Sequence, residues 1–247
     1  MNVKDKTVVI TGSSKGLGKE LALLLAAKQA NLVLLARTKA LLEDLGREIY
    51  RISGRDPTLI PCDISSESDV EKAVEKIREK HEEIHILVNN AGIATYLVSQ
   101  KMPNQVMKDH FSVNFFGAYY CIKAMLPLMK HNKPAYILNV GSLFCRVALA
   151  ETSIYAATKF ALAGFSIGLR QELKPYGIRV GLFMPGAIDT PFQENRGEEE
   201  LQSPKWIMMD PKKVAATMLK MIRRRKKTLL KPIWLLMLLK LKQATQQ

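Results

Sequence analysis

The sequence is poor in cysteine and has no long apolar run, and each shortage excludes a class of protein. Its three cysteines show no C-x-x-C spacing, so neither a disulfide scaffold nor a zinc ribbon is expected, and no metal site is predicted. They are typical of small buried hydrophobic residues in a reducing, cytoplasmic compartment. No apolar stretch of about 18 residues occurs, and the polar segment Met1–Lys6 precedes only a short apolar run. Neither a membrane-spanning helix nor a secretory signal is therefore predicted.

Acidic residues are scarce only towards the carboxyl end. The chain has 37 Lys and Arg against 23 Asp and Glu, a formal net charge of +14. Residues 201–247 carry +11 of this charge, because 12 basic residues face one acidic residue, Asp210. Residues 1–200, with 25 basic and 22 acidic residues, carry only +3. The basicity is a property of the tail, so a DNA-binding face on the folded body, and a nucleic-acid partner in general, are not expected.

Short apolar runs alternate with stretches of helical periodicity along most of the chain. The runs are apolar on both faces, which is typical of strands in a parallel sheet that is covered on both sides. The alternation predicts an α/β fold of the doubly wound Rossmann type, in three α/β/α layers, with one domain over 1–225 and a tail over 226–247. Strands are predicted at 8–10, 31–36, 58–62, 84–88, 135–140 and 179–184, and helices at 17–28, 39–52, 66–80, 105–130, 153–174 and 211–224.

A glycine-rich loop, TGSSKGLG, follows the first predicted strand and opens the first predicted helix. Gly12 permits a sharp turn, Gly16 permits close approach to a phosphate, and Gly18 permits close packing of helix on strand. The helix amino terminus offers unpaired N–H groups to a pyrophosphate, so the loop is a candidate dinucleotide site. The alternative is an ordinary glycine-rich connection. The loop lacks the G-K-[ST] ending of an NTPase. The predicted cofactor contacts in this loop also include Ser14, Lys15 and Leu17.

The end of the second predicted strand bears on the choice of cofactor. An acidic residue there would hold the ribose of NAD, whereas this chain has Ala36 and then Arg37. An arginine accommodates a 2′-phosphate, and Lys15 adds a second positive charge. The sequence therefore favours NADP(H) over NAD(H). The alternative is that both side chains are solvated surface charges.

Tyr155 and Lys159 lie four residues apart and so share one face of a predicted helix. A tyrosine with a pKa near 10 transfers protons poorly at neutral pH unless a neighbouring ammonium stabilises its ionised form. Ser142 follows the fifth predicted strand, at the sheet edge where ligand sites form. It is placed to hydrogen-bond a substrate carbonyl while Tyr155 delivers the proton. The alternative for Tyr155 and Lys159, taken alone, is an exposed helix pair without chemistry.

With these motifs in order, the chain resembles the short-chain dehydrogenases/reductases of about 250 residues, over roughly residues 3–195. The resemblance covers the loop from Thr11 to Gly18, the Asn-Asn-Ala-Gly segment at 89–92, and Pro185-Gly186 followed by Thr190. It also covers a set of four residues on two predicted helices and on the loop after the fifth predicted strand: Asn114, Ser142, Tyr155 and Lys159.

The resemblance implies a role for each of these residues. Tyr155 would be the acid–base group, and Lys159 would lower the pKa of Tyr155 and bind the nicotinamide ribose. Ser142 would polarise the carbonyl, and Asn114 would hold a water that relays protons. The alternative for Asn114 is that it caps or kinks its helix, and the alternative for Asp63, an implied cofactor contact, is that it caps a loop. The other implied cofactor contacts are Asp63 at the adenine ring, Asn90 at the adenosine ribose, Ile188 and Thr190 at the carboxamide, and Ile64, Ala91, Gly92, Pro185 and Gly186.

The substrate is expected to be an apolar small molecule with a carbonyl or alcohol group. Bulky apolar residues occur at 143–149, at Phe192 and at 206–209, with ordinary packing as the alternative. The leading hypothesis is an NADPH-dependent carbonyl reductase of lipid metabolism, resembling ketosphinganine reductases or hydroxysteroid dehydrogenases. The alternatives are a 3-ketoacyl-type reductase and a non-catalytic NADP-binding sensor or scaffold. A homodimer or homotetramer is implied by the resemblance only.

The tail joins a basic cluster at 223–227 to an apolar segment at 229–241. As a helix, this segment would reach about 20 Å, which is short of the ~30 Å hydrocarbon core of a bilayer. We expect it to lie in a membrane interface, with Trp234 at headgroup depth and the basic cluster against anionic lipid, as an anchor or a substrate-entry element. The alternatives are a helix over the substrate mouth, a dimer contact, and nucleic-acid binding by the basic run.

Overall fold

Seven parallel strands form the sheet in the computed structural model, which describes residues 1–130, 134–192 and 205–244. Their order across the sheet is β3-β2-β1-β4-β5-β6-β7, and every neighbouring pair is parallel. The predicted doubly wound fold is confirmed. The strands are β1 Thr7–Thr11, β2 Asn31–Ala36, β3 Thr58–Pro61, β4 Ile86–Asn89, β5 Ala135–Val140, β6 Ile178–Pro185 and β7 Thr228–Lys231.

Helices cover both faces of this sheet. The predicted helix over 105–130 consists of two α-helices joined by a π-helical turn, Ser112–Phe116. Ser66 caps the third helix as predicted, because its side chain accepts a hydrogen bond from the Asp69 N–H. The helices are α1 Gly16–Ala26, α2 Lys39–Ser53, α3 Glu67–Arg78, α4 Asn104–Phe111, α5 Gly117–Lys130, α6 Ser153–Glu172, α7 Pro211–Arg224 and α8 Ile233–Ala244.

The core is divided by the sheet into two apolar layers, and alternate residues of each strand enter opposite layers. Val8 and Ile10 of β1 pack in one layer with α1, α2 and α7, whereas Val9 packs in the other with α3, α5 and α6. Because both faces are covered, the inner strands are mostly apolar, and the buried Asn89 and Asn139 of β4 and β5 are hydrogen-bonded to each other. This arrangement leaves the carboxyl edge of the sheet as the place where the connecting loops converge.

Strand β7 was not predicted. The predicted helix over 229–241 was wrong in its first residues, because 228–231 form this strand and the helix begins at Ile233. Residues 228–231 pair in parallel with β6, from Leu182 opposite Thr228 to Pro185 opposite Lys231. An unpaired β6 would expose a row of N–H and C=O groups, and this short segment satisfies them. Pro232 then separates the strand from α8, since proline cannot donate to a strand ladder but fits at the beginning of a helix. Residues 245–247 of the predicted tail lie outside the described residues.

The three cysteines are free and buried, as expected of small hydrophobic residues. Burial raises the pKa of Cys62 to about 12. Burial also raises the pKa of Cys121 and of Cys145. None of these thiols is therefore ionised at neutral pH.

Candidate active site

A cleft of about 300 Å³ lies at the carboxyl edge of the sheet. It forms around β1 and β4, which are neighbours in the sheet although the chain leaves them towards opposite edges. In doubly wound folds this topological switch point is where ligands bind. The cleft is lined by segments that follow each of the strands from β1 to β6.

The glycine-rich loop forms one end of the cleft and requires its glycines for steric reasons. Gly12 has φ +61°, and a Cβ there would lie 2.7 Å from the Ala91 Cα. A Cβ on Gly18 would lie 2.3 Å from the Gly12 carbonyl oxygen, so α1 could not pack against the loop. Gly18 performs the predicted packing role and lies behind the cleft wall, whereas Gly12 and Gly16 line the cleft.

The amino terminus of α1 fits an anionic group. Lys15 precedes it in extended conformation, with no side-chain cap, and the first turn holds no acidic residue. The first N–H groups of a helix have no acceptor within the helix, and here the first two residues of that turn, Gly16 and Leu17, line the cleft. The residues present therefore fit the pyrophosphate of a dinucleotide.

The Asn-Asn-Ala-Gly segment after β4 is bonded to the end of β1. The N–H groups of Asn90 and Ala91 donate to Thr11 Oγ1 at 3.0 and 3.1 Å. Asn90 Nδ2 donates to the carbonyl oxygens of Thr11 and Gly12, both at 3.0 Å. Asn90 therefore positions the glycine-rich loop, and it also lines the cleft with Ala91 and Gly92.

Arg37 and Lys15 are both exposed and line the same end of the cleft. Asp63 and Ile64, after β3, line it as well. One Asp63 carboxylate oxygen accepts hydrogen bonds from the N–H and the hydroxyl of Ser65, at 3.0 and 2.8 Å. Asp63 thus caps its own loop, which is the alternative considered from the sequence, and still reaches the cleft.

Tyr155, Lys159 and Ser142 converge at the other end of the cleft. Tyr155 and Lys159 lie on the buried face of α6, and the Lys159 ammonium is 5.6 Å from the centroid of the Tyr155 ring. Lys159 Nζ donates to the Val140 carbonyl oxygen at 3.3 Å. Ser142 Oγ accepts from the Phe144 N–H at 3.3 Å, which orients the hydroxyl at the end of β5.

Burial changes the acidity of the lysine. Removal of Lys159 from solvent lowers its pKa to about 8, and the nearby Cys145 opposes this shift slightly. The side chain is thus predominantly charged at neutral pH and loses its proton in the mildly alkaline range. A buried ammonium next to a tyrosine favours the ionised form of that tyrosine.

Asn114 lies behind the cleft and does not line it. Its Oδ1 accepts from the Ile93 N–H at 2.8 Å, and its Nδ2 donates to the Ile93 carbonyl at 2.9 Å and to Thr158 Oγ1 at 3.1 Å. It occupies the middle of the π-helical turn between α4 and α5. The side chain therefore holds the loop after β4 against α6, close to Lys159. Its role in proton relay stays a prediction.

The residues that follow β6 form a further wall of the cleft. Pro185, Gly186, Ile188 and Thr190 all line it, and their contacts with a cofactor stay a prediction. Thr190 lies over the glycine-rich loop, because its Cβ would be 3.4 Å from a Cβ placed on Gly16. Ile188 also forms an isolated parallel bridge with Met209, which ties this segment to the chain that precedes α7.

An aromatic cluster around Tyr155 was only partly anticipated. The rings of Tyr96, Phe144 and Phe192 lie 5.8, 5.7 and 6.4 Å from that of Tyr155, measured between centroids. Tyr96 was missed, since it belongs to no motif. Its neighbour Thr95 donates its N–H to Nε2 of the fully buried His110 at 2.8 Å, which holds this loop in place. Tyr96 and Phe144 do not line the cleft, whereas Phe192 does. The lining residues that were not predicted are Leu35, Thr38, Cys62, Ile93, Val113, Val140, Gly141 and Pro191.

Solved structures share this architecture. A short-chain dehydrogenase from Sphingobium yanoikuyae in complex with NADPH superimposes with a TM-score of 0.84 at 28% identity, covering 92% of this chain and 88% of that one. A 3-ketoacyl-(acyl-carrier-protein) reductase from Brucella melitensis complexed with NADH gives 0.81 at 29% identity, covering 89% and 91%. Both likenesses extend over almost the whole fold.

Sequence comparison agrees with these likenesses. The family described as short chain dehydrogenase matches residues 6–201. Human dehydrogenase/reductase SDR family member 11 is 32% identical over 222 residues, which cover 87% of this chain and 81% of that protein. An uncharacterized oxidoreductase of Staphylococcus saprophyticus is 33% identical over 204 residues, 81% of each chain. The chain is therefore an oxidoreductase that belongs to the short-chain dehydrogenase family.

Proposed function

We propose that this chain uses NADPH to reduce the carbonyl of an apolar, lipid-like ketone to an alcohol. The observation that carries the proposal is one continuous cleft with two different ends. One end has the glycine cradle and two exposed cations, and the other has Ser142, Tyr155 and Lys159 within an aromatic cluster. A dinucleotide in this cleft would extend from the cations towards Tyr155.

The preference for NADPH rests on the charge at the adenosine end. Arg37 follows β2 directly, where an acidic residue would serve NAD, and Lys15 faces the same region. A guanidinium binds a phosphate through two parallel hydrogen bonds, whereas a carboxylate would repel it. The NADPH and NADH complexes of the two similar structures support a nicotinamide cofactor in general.

In the proposed mechanism each residue acts on the carbonyl oxygen or on the proton. A nicotinamide cofactor held in the cleft would supply the hydride. The Ser142 hydroxyl holds the carbonyl oxygen, and the Tyr155 hydroxyl donates a proton to it as negative charge develops. The Lys159 ammonium would stabilise the resulting Tyr155 phenolate and would hold the cofactor ribose. Asn114 supports the proton relay that restores Tyr155.

Apolar surroundings support the choice of substrate. Tyr96, Phe144 and Phe192 surround the Tyr155 ring, and Phe192 also lines the cleft beside it. Aromatic walls favour the burial of hydrocarbon next to the reacting carbonyl. A 3-ketoacyl-type reductase is the second candidate, because the Brucella melitensis protein with that activity has a similar fold.

A carbonyl panel of graded chain length tests the function, with NADPH and NADH compared as cofactors. We expect NADPH oxidation whose kcat/KM rises with the apolar length of the ketone. Higher kcat/KM for acyl-carrier thioesters than for simple ketones would favour the second candidate. NADPH binding without oxidation of any substrate in the panel would contradict the proposal and favour a sensor or scaffold.

We also propose that the chain forms a homodimer or homotetramer. Phe116 and Tyr119 are exposed near the beginning of α5, and Phe160 and Ile167 are exposed on α6. The Tyr119 ring contacts that of Phe165, at 5.9 Å between centroids, so the two helices form one surface.

A peripheral membrane contact is proposed as well, and it depends on the surface of α8.

A further inference from the structure

Helix α8 presents an apolar face to solvent. Ile233, Trp234, Met237, Leu238 and Leu241 are each between 47% and 65% exposed. They recur at the helical period, so they form one stripe along the whole helix. A contiguous stripe of this kind is unusual on a monomer and indicates a surface that binds something apolar.

Trp206 extends this stripe beyond the helix. Its side chain is 76% exposed, and its ring stacks on that of Trp234 with 6.4 Å between centroids and 11° between planes. These are the two tryptophans of the chain. We call the stripe together with Trp206 the α8 face. Tryptophan is the residue most characteristic of the boundary between lipid headgroups and acyl chains.

Positive charge borders the α8 face. Lys205 precedes Trp206, Lys231 precedes the helix, and Lys240 lies within it, and all three are exposed. The basic run 223–227 lies just upstream of β7. Across residues 205–244 the single acidic residue is Asp210. Any partner of this face therefore meets strong positive charge at its margin.

We propose that the α8 face binds an anionic lipid surface, with α8 lying in the plane of the headgroups. Apolar side chains would enter the boundary of the acyl chains, while the lysines meet lipid phosphates. Two copies of this chain joined through the face would bring like charges together, which disfavours that occupant. Helix α8 has 12 residues and extends about 18 Å, too little to cross a bilayer. Within the described ranges, no helix is long and apolar enough to span a membrane.

The opposite side of α8 packs against a residue that lines the cleft. Leu235 is buried, and its Cδ2 lies 3.1 Å from a Cβ placed on Gly186, which lines the cleft; Leu143 Cδ1 lies 3.6 Å from the same point. A second link joins the chain near Trp206 to the cleft, since the Met209 N–H donates to the Ala187 carbonyl at 2.9 Å. Docking through α8 would thus hold the substrate end close to the lipid. This consequence, entry of an apolar ketone from the membrane, rests on the proposed function.

Vesicle binding by the full chain tests the docking proposal. Phosphatidylcholine vesicles with about 30% phosphatidylglycerol are compared with vesicles of phosphatidylcholine alone, since anionic lipid attracts basic segments. Because both tryptophans lie on the α8 face, their fluorescence reports on this surface directly. We expect sedimentation with the anionic vesicles, a blue shift of the emission, and loss of both at high salt.

A matched pair of double variants locates the binding surface. Met237→Glu with Leu238→Glu places two carboxylates on the α8 face, and Tyr50→Glu with Ile52→Glu does so on α2, where the native side chains are 52% and 45% exposed. We expect the α8 variant to partition at least about tenfold more weakly into anionic vesicles, because it loses apolar contact and gains repulsion. The α2 variant should partition like the wild type.

Two results would overturn the docking proposal. One is wild-type protein that stays in solution with anionic vesicles. If, in that case, the α8 variant also abolishes self-association, the occupant of the face is a second copy of the chain. The other is equal loss of partitioning in the two double variants. Turnover of a water-soluble ketone is measured in parallel and should be unchanged in the α8 variant. Absence of wild-type turnover together with normal vesicle binding would contradict the proposed function while leaving the docking surface standing.

Discussion

The two ends of the cleft are built by different means. The cofactor end consists largely of backbone, with glycines at 12 and 18 where a Cβ would collide with neighbouring atoms, and its residues come from short motifs at the ends of β1 and β4. The substrate end consists of side chains from distant segments, such as Ser142, Tyr155 and Phe192, with Tyr96 and Phe144 packed behind Tyr155. Backbone geometry at the glycines tolerates little change, whereas substitution of the aromatic side chains can change which substrate the cleft accepts. The following substitutions test this contrast.

Tyr155→Phe should produce the largest effect. Removal of one hydroxyl deletes the proposed proton donor, so we expect kcat for ketone reduction to fall by a factor of about 10³. The cofactor end is untouched, so the Kd for NADPH should change by less than about twofold, a free-energy difference below ~0.5 kcal/mol. Steady-state kinetics and fluorescence titration measure the two quantities. Turnover that survives this change would assign the proton to another group.

Gly18→Ala should damage the cofactor end and the fold together. The added Cβ would lie 2.3 Å from the Gly12 carbonyl oxygen and 2.6 Å from Asn90 Nδ2, so the loop or α1 must move. We expect the free energy of unfolding to fall by about 3 kcal/mol, together with weakened NADPH binding.

Gly164→Ala provides the control for that substitution. A Cβ at this helical position in α6 meets no atom within 4 Å, so the change should stabilise the protein by about 0.5–1 kcal/mol. Denaturant unfolding measures both variants. Equal effects of the two changes would show that the tight packing at Gly18 has no energetic consequence.

Arg37→Asp should change cofactor choice without affecting the chemistry. Replacing the cation by an anion removes the proposed phosphate contact and adds repulsion, so KM for NADPH should rise about 10- to 100-fold. KM for NADH should stay constant or fall, and kcat should be nearly unchanged. The ratio of kcat/KM for the two cofactors measures this. A ratio that does not change would mean that Arg37 is a solvated surface charge.

Lys159→Met should separate catalysis from stability. Burial lowers the pKa of Lys159 to about 8, so the native state disfavours the ammonium that the unfolded chain keeps up to a pKa near 10.4. Removal of the buried charge should abolish turnover and raise the free energy of unfolding by about 1–2 kcal/mol at pH 7.

The stabilisation by Lys159→Met should depend on pH with a definite sign. Between pH 8 and about 10.4 the wild-type native state has lost the proton that the unfolded chain still binds, so wild-type stability rises with pH. The advantage of the variant should therefore be largest below pH 8 and decline above it. Denaturant unfolding at pH 7 and pH 9.5 measures the difference. A variant that is less stable than the wild type at pH 7 would contradict the burial argument.

Most elements were predictable because their cause is local. The strand 135–140 and the helix 211–224 begin and end where their apolar periods do. Strand β7 was not predictable, because Thr228–Lys231 resembles the beginning of the apolar helix that follows it. Only the open edge of β6 makes it a strand. The π-helical turn at 112–116 was equally hidden, because it has no periodic signature in the sequence.

The sequence by itself determined the alternating fold, the glycine cradle and the spacing of Tyr155 and Lys159, because each depends on neighbours within one or two turns of chain. Only the tertiary structure decided that Asn114 holds Ile93 behind the cleft, that Tyr96 lies against Tyr155, and that α8 shows its apolar face to solvent. Those features depend on contacts between segments far apart in the chain. Their free energies are set by the shape of the packed molecule, and local residue pattern carries no record of that shape.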